Sequence, residues 1–196
     1  RLLSLIVRGW LQQHPPHFTI GLPMSELNEI DDCVKALLAA PTYAFDLETT
    51  GLDKFNDTII GAAFTVKEKK TYRSWYFKPT TGVSVKELFR PFEPVFLDHQ
   101  KLSIFHNAKF DLSMLITHGI KHFNRISDTM VMAWIIDENR SGTGRLKLKG
   151  KGSLTHELFG VELATYAQSA LSGSLFGKEE AQYGMADTEF TYKAHE

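Results

Sequence analysis

The stretch TYAFDLETT, residues 42–50, is a β-prone run that carries two acidic groups, Asp46 and Glu48, two positions apart. Successive side chains of a strand point to opposite faces of a sheet, so both carboxylates project from the same face. Neighbouring carboxylates without a basic partner repel each other and lose hydration when buried, which makes a divalent cation their natural companion. The spacing alone is cheap, because it recurs at Asp187 and Glu189. An isolated pair reads more readily as a solvated edge or a turn, so the surrounding chain decides.

Outward from this strand, DTIIGAAFTV (57–66) and TYRSWYFKP (71–79) read as two more strands, joined as a hairpin across Glu68 to Lys70. KLSIFHN (101–107) is a short apolar run consistent with a buried strand, and a further strand is expected around Phe123 to Ile126. Helical spacing of Leu27, Ile30, Val34, Leu37 and Leu38 predicts an amphipathic helix from Ser25 to just before Pro41. Ser84 and Glu87 form a capping box ahead of a helix to about His99, which Pro91 and Pro94 shorten or break. AKFDLSMLITHG (108–119) is a helix closed by Gly119, and another starts at Asp128 with Met130, Val131, Trp134 and Ile135 at helical spacing. SLTHELFG (153–160), a short segment near Glu162 to Gln168 and a long one from about Lys178 complete the helices. Strands followed by strand–helix alternation predict an α/β fold with a mixed sheet.

NRSGTGRLKLKGKG (139–152) holds four glycines and no periodicity, so a surface loop is expected. Residues 1–25, interrupted by Pro15, Pro16 and Pro23, read as an extension or linker, leaving 26–196 as one domain. The chain starts at Arg1 and its last segment, EFTYKAHE, stops inside a predicted helix, so a piece of a longer chain is expected.

Composition narrows the function classes. The 196 residues hold 22 Lys and Arg against 23 Asp and Glu, a formal net charge of -1, which excludes a protein that grips nucleic acid by bulk positive charge. The single Cys33 excludes an intramolecular disulfide framework and a Cys-based zinc site, and a reducing compartment fits. The early apolar run Leu5 to Val7 stops at Arg8, far short of the ~20 residues that span a bilayer, so a soluble protein with no membrane partner is expected.

Two further elements bear on the acidic pair. In HNAKFDLSML (106–115), Asp111 sits between Phe110 and Leu112 in an apolar helical turn, where a carboxylate needs a partner. A salt bridge or a role at the helix start would also explain it. In AQYGMADTEF (181–190), Tyr183 and Asp187 are four apart and share one helix face, as an ordinary surface pair also would. Their occurrence in one chain and in one order changes the odds.

FDLETTGL, HNAKFDLSML and Tyr183-Gly-Met-Ala-Asp187 together resemble the three exonuclease motifs of the DEDD superfamily. The resemblance is to its tyrosine-bearing branch, as in the 3′→5′ proofreading domain of family A DNA polymerases of the bacterial polymerase I type. It runs in order from about residue 42 to 194, and Gln182 stands where the histidine branch has its His. It implies a ribonuclease-H-like mixed sheet flanked by helices and two divalent cations, Mg²⁺ or Mn²⁺. Asp46, Glu48 and Asp187 would hold the first ion, Asp46 would bridge to the second, Asp111 would support that second ion, and Tyr183 would orient the attacking water. Hard oxygen ligands agree with that choice of metal. With two such ions bound the formal charge rises from -1 to about +3.

The resemblance also implies substrate contacts at Thr49, Leu52, Asn107 and Phe110, beside the terminal nucleotide; for Leu52 and Phe110 plain core packing is the alternative. His106 either faces the substrate or is a structural histidine. Asp128 matches an Asp that opens a helix in relatives, and capping explains it. Arg140, Arg145, Lys147, Lys149 and Lys151 are the one local excess of positive charge, able to track a strand's backbone or to stay solvated. The expected function is removal of nucleoside monophosphates from a single-stranded 3′ end of DNA, with a polymerase module in the same chain as partner. The expected location is the cytoplasm, at a bacterial or phage nucleoid, with an organelle left open. A free-standing ribonuclease D-like enzyme acting on RNA is the alternative, and a retired strand-binding domain the third reading.

Overall fold

A computed structural model describes residues 24–163 and 178–196. The linker expected over 1–25 lies outside them except for its last two residues, which begin the first helix. The short helix expected near Glu162 falls mostly outside them too, and Glu162 and Leu163 are not helical.

Five strands form one mixed sheet: β1 (Thr42–Thr49), β2 (Ile59–Glu68), β3 (Thr71–Phe77), β4 (Leu102–Phe105) and β5 (Arg125–Asp128), in the order β3-β2-β1-β4-β5. β1 is central, antiparallel to β2 and parallel to β4, and β2–β3 is the expected hairpin. The helices are α1 (Met24–Ala39), α2 (Val85–Phe89), α3 (Glu93–Phe96), α4 (Ala108–Thr117), α5 (Thr129–Ile136), α6 (Leu154–Phe159) and α7 (Lys178–His195). This is the α/β, ribonuclease-H-like arrangement of a mixed sheet flanked by helices.

The capping box is present: Ser84 Oγ accepts from Glu87 N at 3.2 Å, and the Glu87 carboxylate accepts from Ser84 N at 2.9 Å. Pro91 and Pro94 interrupt the helix beyond this cap, and a 3₁₀ turn (Arg90–Phe92) separates α2 from α3. β5 sits two residues later than the sequence suggests, because pairing with β4 (Leu102↔Arg125 to Phe105↔Asp128) sets its limits and not its own mixed polarity. α5 forms as expected, yet Val131, Trp134 and Ile135 are exposed while Thr129 and Ala133 are buried. Helical spacing identifies a stripe; it does not say what covers it.

The two faces of β1 have different surroundings. Tyr43, Phe45 and Leu47 enter an aromatic core with Phe64, Phe89, Phe92, Phe96 and Phe105, closed by Ile30, Cys33 and Leu37 of α1. Phe45 lies 4.9 Å from Phe64 and 5.6 Å from Phe105, centroid to centroid. On the other face Ala44 packs with Ile104 and Tyr192 beneath α7, which crosses β1 to β4. Asp46 and Glu48 occupy that second face.

Candidate active site

Small residues let α7 approach the sheet. Asp46 is paired with Ala63 and Glu48 with Gly61, and the Tyr76 ring lies across this region. A Cβ on Gly61 would run into the Tyr76 phenol, and one on Gly184 would stand 3.0 Å from the same ring. Glycine in a helix interior costs about 1 kcal/mol against alanine, but an alanine here would crowd the Tyr76 ring. Thr188 Oγ1, hydrogen-bonded to Thr65 Oγ1 at 2.7 Å, fixes the rotation of α7. Asp187 is thereby brought to β1, and one carboxylate oxygen each from Asp46, Glu48 and Asp187 lies within 4.8 Å of the others.

Burial raises Asp46 to about 6, against the pull of Lys149. Glu48 rises to about 8 through burial and then the Asp46 charge, and Asp187 to about 7 through burial, opposed by Lys149. Three oxygen donors held together above the carboxylate range are a site that protons occupy when no stronger cation does. The donor set is hard, with no Cys or His, and could hold a divalent cation.

Asp111, in the first turn of α4, is 2% exposed and is not one of these three. Its Oδ1 accepts from the Leu47 amide at 3.1 Å, so it takes a backbone donor of the central strand where a basic partner was one alternative. Burial, then the Asp46 charge, raise it well above the usual range. Tyr183 and Asp187 share a face of α7 as their spacing implies, but Asp187 is buried at 3%, which removes the surface-pair alternative.

These groups line a cleft of about 730 Å³ with Thr49, Leu52, His106, Asn107 and Phe110. Leu52 is 87% exposed, so core packing does not explain it. The turn that presents it is tied by Asp57, which accepts from Thr50 Oγ1 at 2.9 Å and Asp53 N at 2.8 Å. Phe110 is half-buried against the aromatic core and also lines the cleft. The Thr49 hydroxyl donates to the Gly51 carbonyl at 2.7 Å. His106 Nδ1 lies 2.8 Å from Thr129 Oγ1, and burial lowers the ring to about 4, so it is neutral at pH 7. Asn107 adopts a left-handed conformation (φ 75), and its amide and that of Ala108 donate to Asp128 at 3.1 and 2.8 Å. Asp128 also caps α5 through Met130 N, so it joins the starts of two helices beside the cleft.

The basic segment forms turns, as a loop should, but it does not lie wholly at the surface, since Arg140, Leu148 and Gly150 are buried. Arg140 is buried and paired bidentately with Glu157 at 2.8 and 2.6 Å, and Arg145 pairs with Asp137 and Glu157 at 3.4 Å. The structure does not bring these two arginines into the cleft, because acidic residues on either side of the segment hold them. Lys151 is exposed, while Lys147 and Lys149 line the cleft. Lys149 forms an ion pair with Asp187 and lies 3.5 Å from the Tyr183 ring centroid. Burial disfavours its charge, but Asp187 and Asp46 more than compensate and raise its pKa.

Two neighbours were not anticipated. Tyr76 donates to Glu180 at 2.7 Å, and the Glu180 charge contributes to raising Glu48. The spacing Glu180, Tyr183, Asp187 on one helix face was the available signal for Glu180; nothing local marks Tyr76.

Comparison with known proteins agrees with this geometry. DNA polymerase I of Chloroflexus aurantiacus is 29% identical over 127 residues, covering 64% of this chain and 13% of that protein. DNA polymerase I of Pseudomonas aeruginosa is 26% identical over 179 residues, covering 85% and 19% respectively, so the chain spans under a fifth of these relatives. Escherichia coli RNase D, described as an exoribonuclease involved in structured RNA processing, has the same fold: TM-score 0.60 at 17% identity, over 86% of this chain and 42% of that one. The 3′-5′ exonuclease family model of the DNA polymerase A type matches residues 23–196. With that match over most of its length, the chain belongs to the family of DEDD 3′-5′ exonuclease domains found in family A DNA polymerases.

Proposed function

We propose that this domain is a metal-dependent exonuclease that removes nucleoside monophosphates from a single-stranded 3′ end of DNA, as the proofreading part of a family A DNA polymerase. The observation that carries the reading is the convergence of Asp46, Glu48 and Asp187 within 4.8 Å among the residues that line the cleft. Asp46, Glu48 and Asp187 would hold one divalent ion; Asp46, with Asp111 behind it, would hold the second. Such a pair of ions supplies an activated water and stabilises the charge that develops on the leaving 3′-oxygen. The chain's own groups do the rest. Tyr183, at the edge of the cluster, orients the water through its hydroxyl. Leu52 and Phe110 contact the terminal base by its apolar face, which every base has, so the site accepts any of them. Similarity to DNA polymerase I relatives favours DNA as substrate and a polymerase module as partner.

The test compares 3′-labelled and 5′-labelled DNA and RNA single strands, with Mg²⁺ or Mn²⁺ and with EDTA. Shortening of DNA from the 3′ end in metal alone is expected, abolished in Asp46→Ala and Asp187→Ala. Undiminished cleavage by both variants would sink the site, and faster cleavage of RNA would move the protein to the ribonuclease D type.

A further inference from the structure

Lys149 stands where a cation belongs. Its ammonium is ion-paired with Asp187 and rests on the Tyr183 ring, and its charge also pulls down the carboxyls of Asp46 and Glu48, which converge with Asp187 within 4.8 Å. The backbone around it is anchored on both sides. Leu148 is buried and its carbonyl accepts from Thr155 Oγ1 at 2.7 Å; the Lys147 carbonyl accepts from Leu154 N at 2.8 Å; Gly150 N donates to the Leu163 carbonyl at 3.2 Å. Gly150 turns the chain at φ 95, a left-handed conformation that favours glycine. The side chain is therefore aimed by the fold, whereas the neighbouring Arg140 and Arg145 are held elsewhere by Asp137 and Glu157.

We propose that Lys149 is a built-in counter-ion of the acidic cluster, which a divalent cation must displace from Asp187 to enter, so that Lys149 sets the metal affinity of the site. The inference rests on the metal-dependent reading above and adds its regulation. Protons neutralise only part of the cluster near neutral pH, and an ammonium on a flexible four-carbon stem supplies a further positive charge that can swing away. The same ammonium competes for an Asp187 oxygen and repels an incoming ion across a few ångströms of poorly screened space. Metal-free enzyme is thus kept intact, and ion entry requires enough free divalent cation to outcompete the lysine.

The experiment measures Mn²⁺ binding without nucleic acid, by the electron paramagnetic resonance of free Mn²⁺, for wild type, Lys149→Met, Lys149→Arg and Asp187→Asn. Lys149→Met, which keeps the stem and drops the charge, should bind Mn²⁺ tighter by on the order of tenfold or more, and its Tm in EDTA should fall while Mn²⁺ restores it. Lys149→Arg should stay near wild type in affinity. If Lys149→Met does not fold in EDTA, its folding as a function of added Mn²⁺ reads the same affinity, and Lys149→Gln must shift in the same direction. Equal or weaker binding by Lys149→Met would overturn the proposal. If wild type then still binds Mn²⁺ and Asp187→Asn does not, the metal site stands and only the counter-ion role falls; failure of wild type to bind would remove both.

Discussion

One peptide bond separates two opposite contributions to stability in β1. Phe45 faces an aromatic core and is fully buried, while Asp46, its neighbour, faces α7 among groups that repel one another. The first face lowers the free energy of the fold; the second raises it and brings together carboxylates that could hold a cation. The same central strand serves both because its period of two sorts adjacent residues onto opposite faces. The lesson is that a site of this kind is affordable only where an independent core carries the fold.

The widest separation of the two faces should come from exchanging single side chains. Asp46→Asn should reduce exonuclease activity by ~10³-fold or more, since metal-ion charge stabilisation is worth several kcal/mol, while leaving the metal-free Tm unchanged or higher. Phe45→Ala should do the reverse, losing about 3–5 kcal/mol of stability in urea unfolding while the surviving folded fraction keeps its Mn²⁺ affinity. A large drop in metal-free stability with Asp46→Asn would break the comparison.

A smaller effect is expected at the rim of the acidic face. Tyr183→Phe removes a hydroxyl and leaves the ring beneath Lys149, so single-turnover rates should fall by roughly 10²-fold with Mn²⁺ affinity retained; unchanged rates would remove the water-orienting role.

The pH dependence sharpens the contrast further. Folded-state values of about 6, 8 and 7 for Asp46, Glu48 and Asp187 lie above those of an unfolded chain, so the folded protein keeps protons that the unfolded chain releases. Their contribution is fully present below about pH 4, the unfolded carboxylate range, and is lost as pH rises through 6 to 8. In EDTA the Tm should therefore decline across that window, and saturating Mg²⁺ should flatten the decline because the ions replace the protons. A metal-independent slope would show that the acidic face does not control it. The smallest effect belongs to Arg145→Gln, whose charge is already paired with Asp137 and Glu157: strand affinity should change less than about twofold and its salt slope hardly at all.

The features legible before folding are those that depend on local interactions. Strands β1 to β3, the Ser84–Glu87 cap, the break at Pro91 and Pro94, and the closure of α4 at Gly119 (φ 72) each depend on a few neighbouring residues. β5 was displaced by two residues and the apolar stripe of α5 was turned outward, because strand pairing and helix docking decide both. In the site, Asp46 with Glu48 and Tyr183 with Asp187 were legible as pairs from the periods of strand and helix. Their approach to each other depends on Gly61, Ala63 and Gly184 lying in one contact, which no local pattern contains.

The basic segment shows the same division at a single residue. Composition alone showed five positive charges between Asn139 and His156 with no acid among them. Which of them faces the carboxylates was settled by Glu157 and Asp137 capturing the arginines and by buried Leu148 orienting the next residue inward. The chemistry available to the protein is thus written in residue types and periods, while the pairing of Lys149 with Asp187 exists only once distant segments have packed, since opposite charges that meet across the fold are selected by its geometry and not by their separation along the chain.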